Sequence, residues 1–296
     1  MALTAYPLFT SRTTLYSLPF TLLYPLPITP IPPSMKQPSS VKVTLAVIIF
    51  GLSLLLPVPA LAQETVVLLH GLASIPLSMK YLEGSFEEEG FRVHNIGYPS
   101  TDLPIEEAAN LVREKVLALE PAGTIHFVGH SLGNIIIRKM LEKKVPNLGR
   151  IVMIAPPNQG SLTAQRLRDL DIYRWFFGPA GQELSADREN FFKVLPIPSC
   201  QFGIIAGGLG TKEGYNPLLP GDDDGTVRVE ETMLPGAADF ILINSTHTLI
   251  LFEEETARQT IHFLKTGTFQ RGESSPKKPP EGRITLLNLS EKESFE

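Results

Sequence analysis

From Gln63 onward, runs of apolar residues alternate with segments of helical spacing. Residues 65–70 form a continuous apolar run ending in His-Gly, the pattern of a strand buried on both faces. In 78–89, Met79, Leu82 and Phe86 share one helical face, and Gly90 stops the helix. Residues 92–96 read as a second strand, followed by a Gly-Tyr-Pro-Ser turn. Residues 104–119 read as a helix with proline at its start and glutamates in its first turn, where the helix dipole favours them. Residues 124–128, 150–155, 202–206 and 240–244 supply four further strands. Residues 134–143 form a buried helix, and 254–265 an amphipathic one ended by Gly267. There is no internal repeat. The alternation predicts an α/β domain with a mostly parallel sheet of about six strands and helices on both faces.

Two stretches break the rhythm. Residues 161–199 fall between the fourth and fifth strands and form a small cap insert. Its cluster Trp175, Phe176 and Phe177 fits either an apolar substrate pocket or a helical insert packing its aromatics on the core. Residues 269–296 are rich in Lys, Pro, Glu and Ser and read as a disordered polar tail, with an apolar patch at 284–289 to which the pattern assigns no role.

The first 62 residues are of a different kind. They contain no Asp or Glu, and only Arg12, Lys36 and Lys42 as cations. Met35-Lys36 and Lys42 lead into an apolar run over 43–56, then Pro57-Val58-Pro59 and Ala60-Leu61-Ala62. A basic start, a short apolar core and a small-x-small step are the layout of a secretory signal peptide, so 35–62 is read as a cleaved leader. The apolar run falls short of the ~20 residues of a membrane span, although an uncleaved anchor is the alternative. Residues 1–34 read as an extension ahead of the natural start at Met35, or as an organellar targeting segment ahead of a lumenal export signal. The expected location is outside the cytoplasm, periplasmic or secreted, with an organelle lumen as the other possibility.

Charge and cysteine content narrow the function. Of the chain's 26 Lys and Arg, 23 lie in 63–296, together with all 31 acids, a net charge of −8. Such a surface does not attract phosphate backbones, which argues against nucleic-acid binding. Cys200 is the sole cysteine, so no intrachain disulfide forms, and it reads as an inert residue rather than a nucleophile.

The chemistry centres on Gly129-His130-Ser131-Leu132-Gly133, placed between a strand and a helix. This is the context of a nucleophile elbow, in which a sharp turn exposes the serine and a Cβ at either glycine would strike a neighbouring element. By itself the pentapeptide arises by chance in roughly one chain in ten of this length, given glycine at about 7% of residues. A serine hydroxyl needs a base, and the base needs an acid to fix its tautomer. Only His247 and His262 follow Ser131; His262 is mid-helix, whereas His247 lies just past the last strand, so His247 is the base. The run Asp222-Asp223-Asp224-Gly225-Thr226-Val227 offers the acid, and its D-x-x-V spacing points to Asp224, with Asp222 and Asp223 as alternatives. Read as a calcium loop, the same run would place Pro220 at the first ligand position, so no metal site is implied. Oxyanion donors are expected from the amides of Leu132, after the nucleophile, and Leu72, after the first strand.

Leu68-Leu69-His70-Gly71-Leu72, the elbow around Ser131, Asp224-Gly225-Thr226-Val227 and His247 together resemble an α/β-hydrolase fold serine hydrolase of the lipase/esterase type. Residues 155–161 also resemble the post-strand Pro-x-x-Gly-Ser segment of many lipases, with Asn158 where those often carry His. The resemblance implies an α/β-hydrolase domain over 63–268. The family's sheet usually begins with two further strands before the His-Gly strand, and this chain departs from that pattern, so a minimal six-stranded version is expected. The resemblance also implies hydrolysis of a small-molecule or lipid ester through an acyl-enzyme, without cofactor; the leader, separately, implies only transient contact with a membrane. Acyl transfer, or thioester or amide cleavage, on the same triad is the nearer alternative. A catalytically silent binding protein is the further one. Oligomeric state has no signature in the sequence.

Overall fold

The computed structural model describes residues 63–119, 123–185 and 191–271. The leader, the extension before it and the tail beyond Arg271 lie outside these residues. Six strands form one sheet: β1 (Thr65–Leu69), β2 (Arg92–Ile96), β3 (Ile125–His130), β4 (Leu148–Ile154), β5 (Phe202–Gly207) and β6 (Asp239–Ile243). All pairings are parallel and the order is β2-β1-β3-β4-β5-β6. The helices are α1 (Lys80–Glu88), α2 (Ile105–Leu117), α3 (Leu132–Met140), α4 (Leu162–Leu167), α5 (Asp171–Leu184), α6 (Phe191–Val194), α7 (Val229–Thr232) and α8 (Glu254–Thr266). This is the α/β architecture that the alternation predicts.

Strand alternation divides the core in two. Val67, Leu69, Phe127, Ile151 and Met153 face α2, α3 and the cap. Val66, Leu68, Val128, Val152 and Ile154 face Leu82 and Phe86 of α1 and Phe263 and Leu264 of α8. With both faces covered, inner strands such as β1 and β5 need apolar residues at successive positions, which is why they read as unbroken runs. Strand order reverses direction between β1 and β3, so the connections leaving these neighbours diverge and open a crevice at their carboxyl ends. Leu69 pairs with Gly129, which brings the segment after β1 alongside the elbow after β3.

The cap insert is helical. α5 kinks at Gly178, whose positive φ and close approach to the Thr101 carbonyl leave no room for a Cβ. Glu183 of α5 accepts the Ile105 backbone N–H (2.7 Å), capping α2 from a distance in sequence. The cap's far end is held by Arg138 on α3, only 1% exposed. Its guanidinium donates to the carbonyls of Phe192 (3.1 Å), Leu195 (2.9 Å), Pro196 (3.1 Å) and Asn158 (3.2 Å). Burial lowers its pKa to about 10, leaving it charged at neutral pH. Arg138→Leu strands these acceptors, and is expected to lower unfolding free energy by about 3 kcal/mol or more. Chemical denaturation checks this. Lysine cannot reproduce the fork, so Arg138→Lys is expected to recover little.

One boundary is corrected. The sequence pattern places the start of the polar tail at residue 269, yet Phe269 is buried beside Phe263, its N–H donates to Asp239 (2.8 Å), and Arg271 pairs with Asp239 (3.1 Å). The packed chain therefore runs through Arg271: Asp239, at the start of β6, offers both carboxylate oxygens to it.

Candidate active site

Ser131 sits between β3 and α3 with φ 51° and ψ −122°, a conformation that side-chain-bearing residues rarely adopt. The neighbours hold it there. Its N–H donates to the Ile154 carbonyl (3.0 Å), and its carbonyl accepts from the Asn134 N–H (3.0 Å) and Nδ2 (3.2 Å). Asn134 Nδ2 also reaches the Ile154 carbonyl (3.0 Å). Both flanking glycines are sterically required: a Cβ at Gly129 would lie 2.8 Å from the Asn134 nitrogen, and one at Gly133 would overlap the carbonyl of Leu69. Asn134 fully buried on α3 is a member of the site that sequence spacing does not single out. Its only signal is a polar residue ahead of three isoleucines.

His247 follows β6 and Asp224 lies on the connection after β5. His247 Nε2 stands 3.0 Å from Ser131 Oγ, and His247 Nδ1 is 2.6 Å from Asp224 Oδ2. With Nδ1–H donated to the carboxylate, Nε2 presents a lone pair to the serine hydroxyl. Asp224 is buried, and its Oδ1 accepts the backbone N–H groups of Thr226 (2.9 Å) and Val227 (2.7 Å). This turn is the physical content of the D-x-x-V spacing. The other two acids are spoken for elsewhere. Asp222 accepts the amides of Leu209 (2.8 Å) and Gly210 (2.9 Å), while Asp223 accepts those of Asn216 (3.0 Å) and Gly225 (2.6 Å). His262 is bonded to the Thr268 carbonyl (2.7 Å), away from the serine.

The segment after β1 closes on the nucleophile. A Cβ at Gly71 would lie 3.1 Å from Ser131 Cβ, so glycine permits the close approach of this segment to the nucleophile. His70 stacks on Tyr98 (4.5 Å between centroids), and Tyr98 Oη donates to the His70 carbonyl (2.6 Å), fixing the start of this segment. Leu132 is the first residue of α3, where helix N–H groups lack intrahelical acceptors.

The aromatic cluster divides. Phe177 packs toward the core beside Tyr173 (4.7 Å between centroids) and shares Gly181 with Leu72. Trp175 and Phe176, candidates for a pocket wall, are 82% and 55% exposed. Helical geometry turns Tyr173 and Phe177, four residues apart, inward and Trp175 and Phe176 out. Burial raises the Cys200 thiol to about 11, in keeping with an inert cysteine. Among the described residues, no group of three or more His, Cys, Asp or Glu is placed to hold a metal ion.

His130 is buried, and desolvation lowers its pKa from 6.5 to about 3. The unfolded chain therefore binds a proton below pH 6.5 that the folded chain refuses down to about pH 3. The stability that this neutral histidine allows is complete above pH 6.5 and lost as pH falls toward 3. His70 and His126, also lowered mainly by burial, act in the same sense. Folding free energy measured across this range should fall with acidification, and His130→Gln should flatten part of the fall.

The fold is shared with solved α/β-hydrolases. The mature form of Bacillus licheniformis lipase BlEst2 superimposes with a TM-score of 0.57 at 17% identity, over 72% of this chain and 94% of that one. The metagenomic carboxyl esterase MGS0156 gives 0.52 at 19% identity, over 64% and 67%. A thermophilic esterase from Thermogutta terrifontis gives 0.50 at 15%, over 70% and 92%. No family model and no curated protein sequence matches the chain.

Proposed function

We propose that this α/β-hydrolase-fold protein hydrolyses carboxylic esters through Ser131, His247 and Asp224. The observation that carries the reading is the unbroken relay from Ser131 Oγ through His247 to Asp224, at 3.0 and 2.6 Å, on a strained elbow. In the proposed reaction Oγ attacks the ester carbonyl as Nε2 takes its proton, and Asp224 stabilises the imidazolium. The amides of Leu72 and Leu132 receive the oxyanion. His247 then protonates the departing alcohol, and water, activated by the same histidine, releases the acid from the acyl-enzyme. The names of the structural neighbours, a lipase and two esterases, favour an ester over other acyl substrates.

A fluorophosphonate probe should label the wild type at Ser131 and leave Ser131→Ala unlabelled. Absence of label on the wild type would refute the reading. Rates on p-nitrophenyl esters of increasing acyl length then separate esterase from lipase behaviour. We also infer export from the leader over 35–62, which N-terminal sequencing of the natural product tests by a start near Gln63.

A further inference from the structure

His130 is one of the two unspecified positions of the elbow pentapeptide, and the proposed chemistry leaves it without a task. It is 5% exposed, its Nε2 lies 2.8 Å from the His247 carbonyl oxygen, and its ring centroid is 4.9 Å from that of His247. A carbonyl can only accept, so the ring is the donor and Nε2 carries the hydrogen. Nδ1 is then bare, and it is buried without a hydrogen-bond partner, facing the place where a Cβ at Gly71 would stand 3.0 Å away. A buried, half-satisfied imidazole costs stability, and a hydrocarbon ring would avoid that cost.

What the imidazole does in return is grip the base. The His247 N–H donates to the Asp224 carbonyl (2.8 Å), and its C=O accepts from His130. The backbone of His247 is thus held on one side by the acid and on the other by the residue bonded to the nucleophile. We propose that His130 is a positioning residue, which sets the Nε2-to-Oγ separation by tying the His247 carbonyl to the elbow. This rests on the triad reading above. His130 touches no substrate; it acts through His247.

Two variants separate this role from simple filling of space. His130→Phe keeps a ring and removes the donor, whereas His130→Gln removes the ring and keeps an amide N–H near the same reach. On p-nitrophenyl butyrate, His130→Phe should lose roughly 10- to 100-fold in kcat with KM nearly unchanged, because misplacement of a catalytic group slows chemistry rather than binding. Labelling of Ser131 by the fluorophosphonate should slow in parallel, and His130→Gln should restore most of both. Wild-type kcat in His130→Phe, or equal impairment in the two variants, would overturn the proposal. ¹⁵N NMR of the wild type supplies a test that needs no substitution: His130 should be neutral and Nε2-protonated at neutral pH, and an Nδ1-protonated or charged ring would overturn it. A wild type that the probe fails to label overturns the triad reading itself. A labelled wild type with a fully active His130→Phe overturns only the role of His130.

Discussion

Ser131→Ala is expected to lower kcat on p-nitrophenyl esters by about 10⁶-fold, the scale seen when a serine nucleophile is removed. The fold should be unaffected. The bonds that hold the elbow run through the Ser131 backbone, to Ile154 and Asn134, whereas Oγ bonds to His247. Alanine meets the same φ of 51° with the same Cβ, so it inherits the strain without adding to it. His247→Ala should cost a comparable factor, and the double variant little more than either single, because nucleophile and base act as one unit. Steady-state rates on purified variants, with thermal melts alongside, measure this. A Ser131→Ala protein retaining more than about a hundredth of wild-type kcat would show that another group attacks the ester.

Much of this site is legible in the sequence because its requirements are local. The elbow glycines are demanded by the strand–turn–helix that carries them: Gly129 faces Asn134 on the helix that follows, and only the Gly133 collision, with Leu69 of β1, comes from a distant part of the chain. His247 follows from chain order and from its place after a strand. The inner strands stand out because burial on both faces makes them largely apolar, whereas the edge strand β2 carries Arg92, His94 and Asn95. The edges are less legible. α3 begins at Leu132, inside the pentapeptide, since the turn that strains Ser131 also starts the helix. The roles of His130, Asn134 and Arg138 depend on acceptors at 247, 154 and 192–196, so nothing near them in sequence announces them. Trp175 and Phe177 look alike as a cluster; only the rotation of α5 against the core decides which is buried. Phe269 and Arg271 look like the start of a tail until Asp239 is found across from them.

The three adjacent aspartates are the sharpest case, because composition makes them equivalent and the loop does not. Asp224→Asn is expected to lower kcat by about 10⁴-fold, the loss known for a triad in which the acid becomes an amide. Asparagine can still accept the Thr226 and Val227 N–H groups through its oxygen, so the turn should survive. Its NH₂ then faces His247 Nδ1, which must become an acceptor. That moves the imidazole proton to Nε2, opposite Ser131 Oγ, where a lone pair is needed to take the serine proton. Asp222→Asn provides the contrast, since its carboxylate braces the Leu209 and Gly210 amides rather than His247. An amide oxygen can replace one of those two bonds, so kcat should stay within about tenfold of wild type even where stability falls by about 1 kcal/mol. Parallel kinetics and denaturation of the two variants decide the matter. If Asp222→Asn loses as much kcat as Asp224→Asn, the acid of the relay is misassigned.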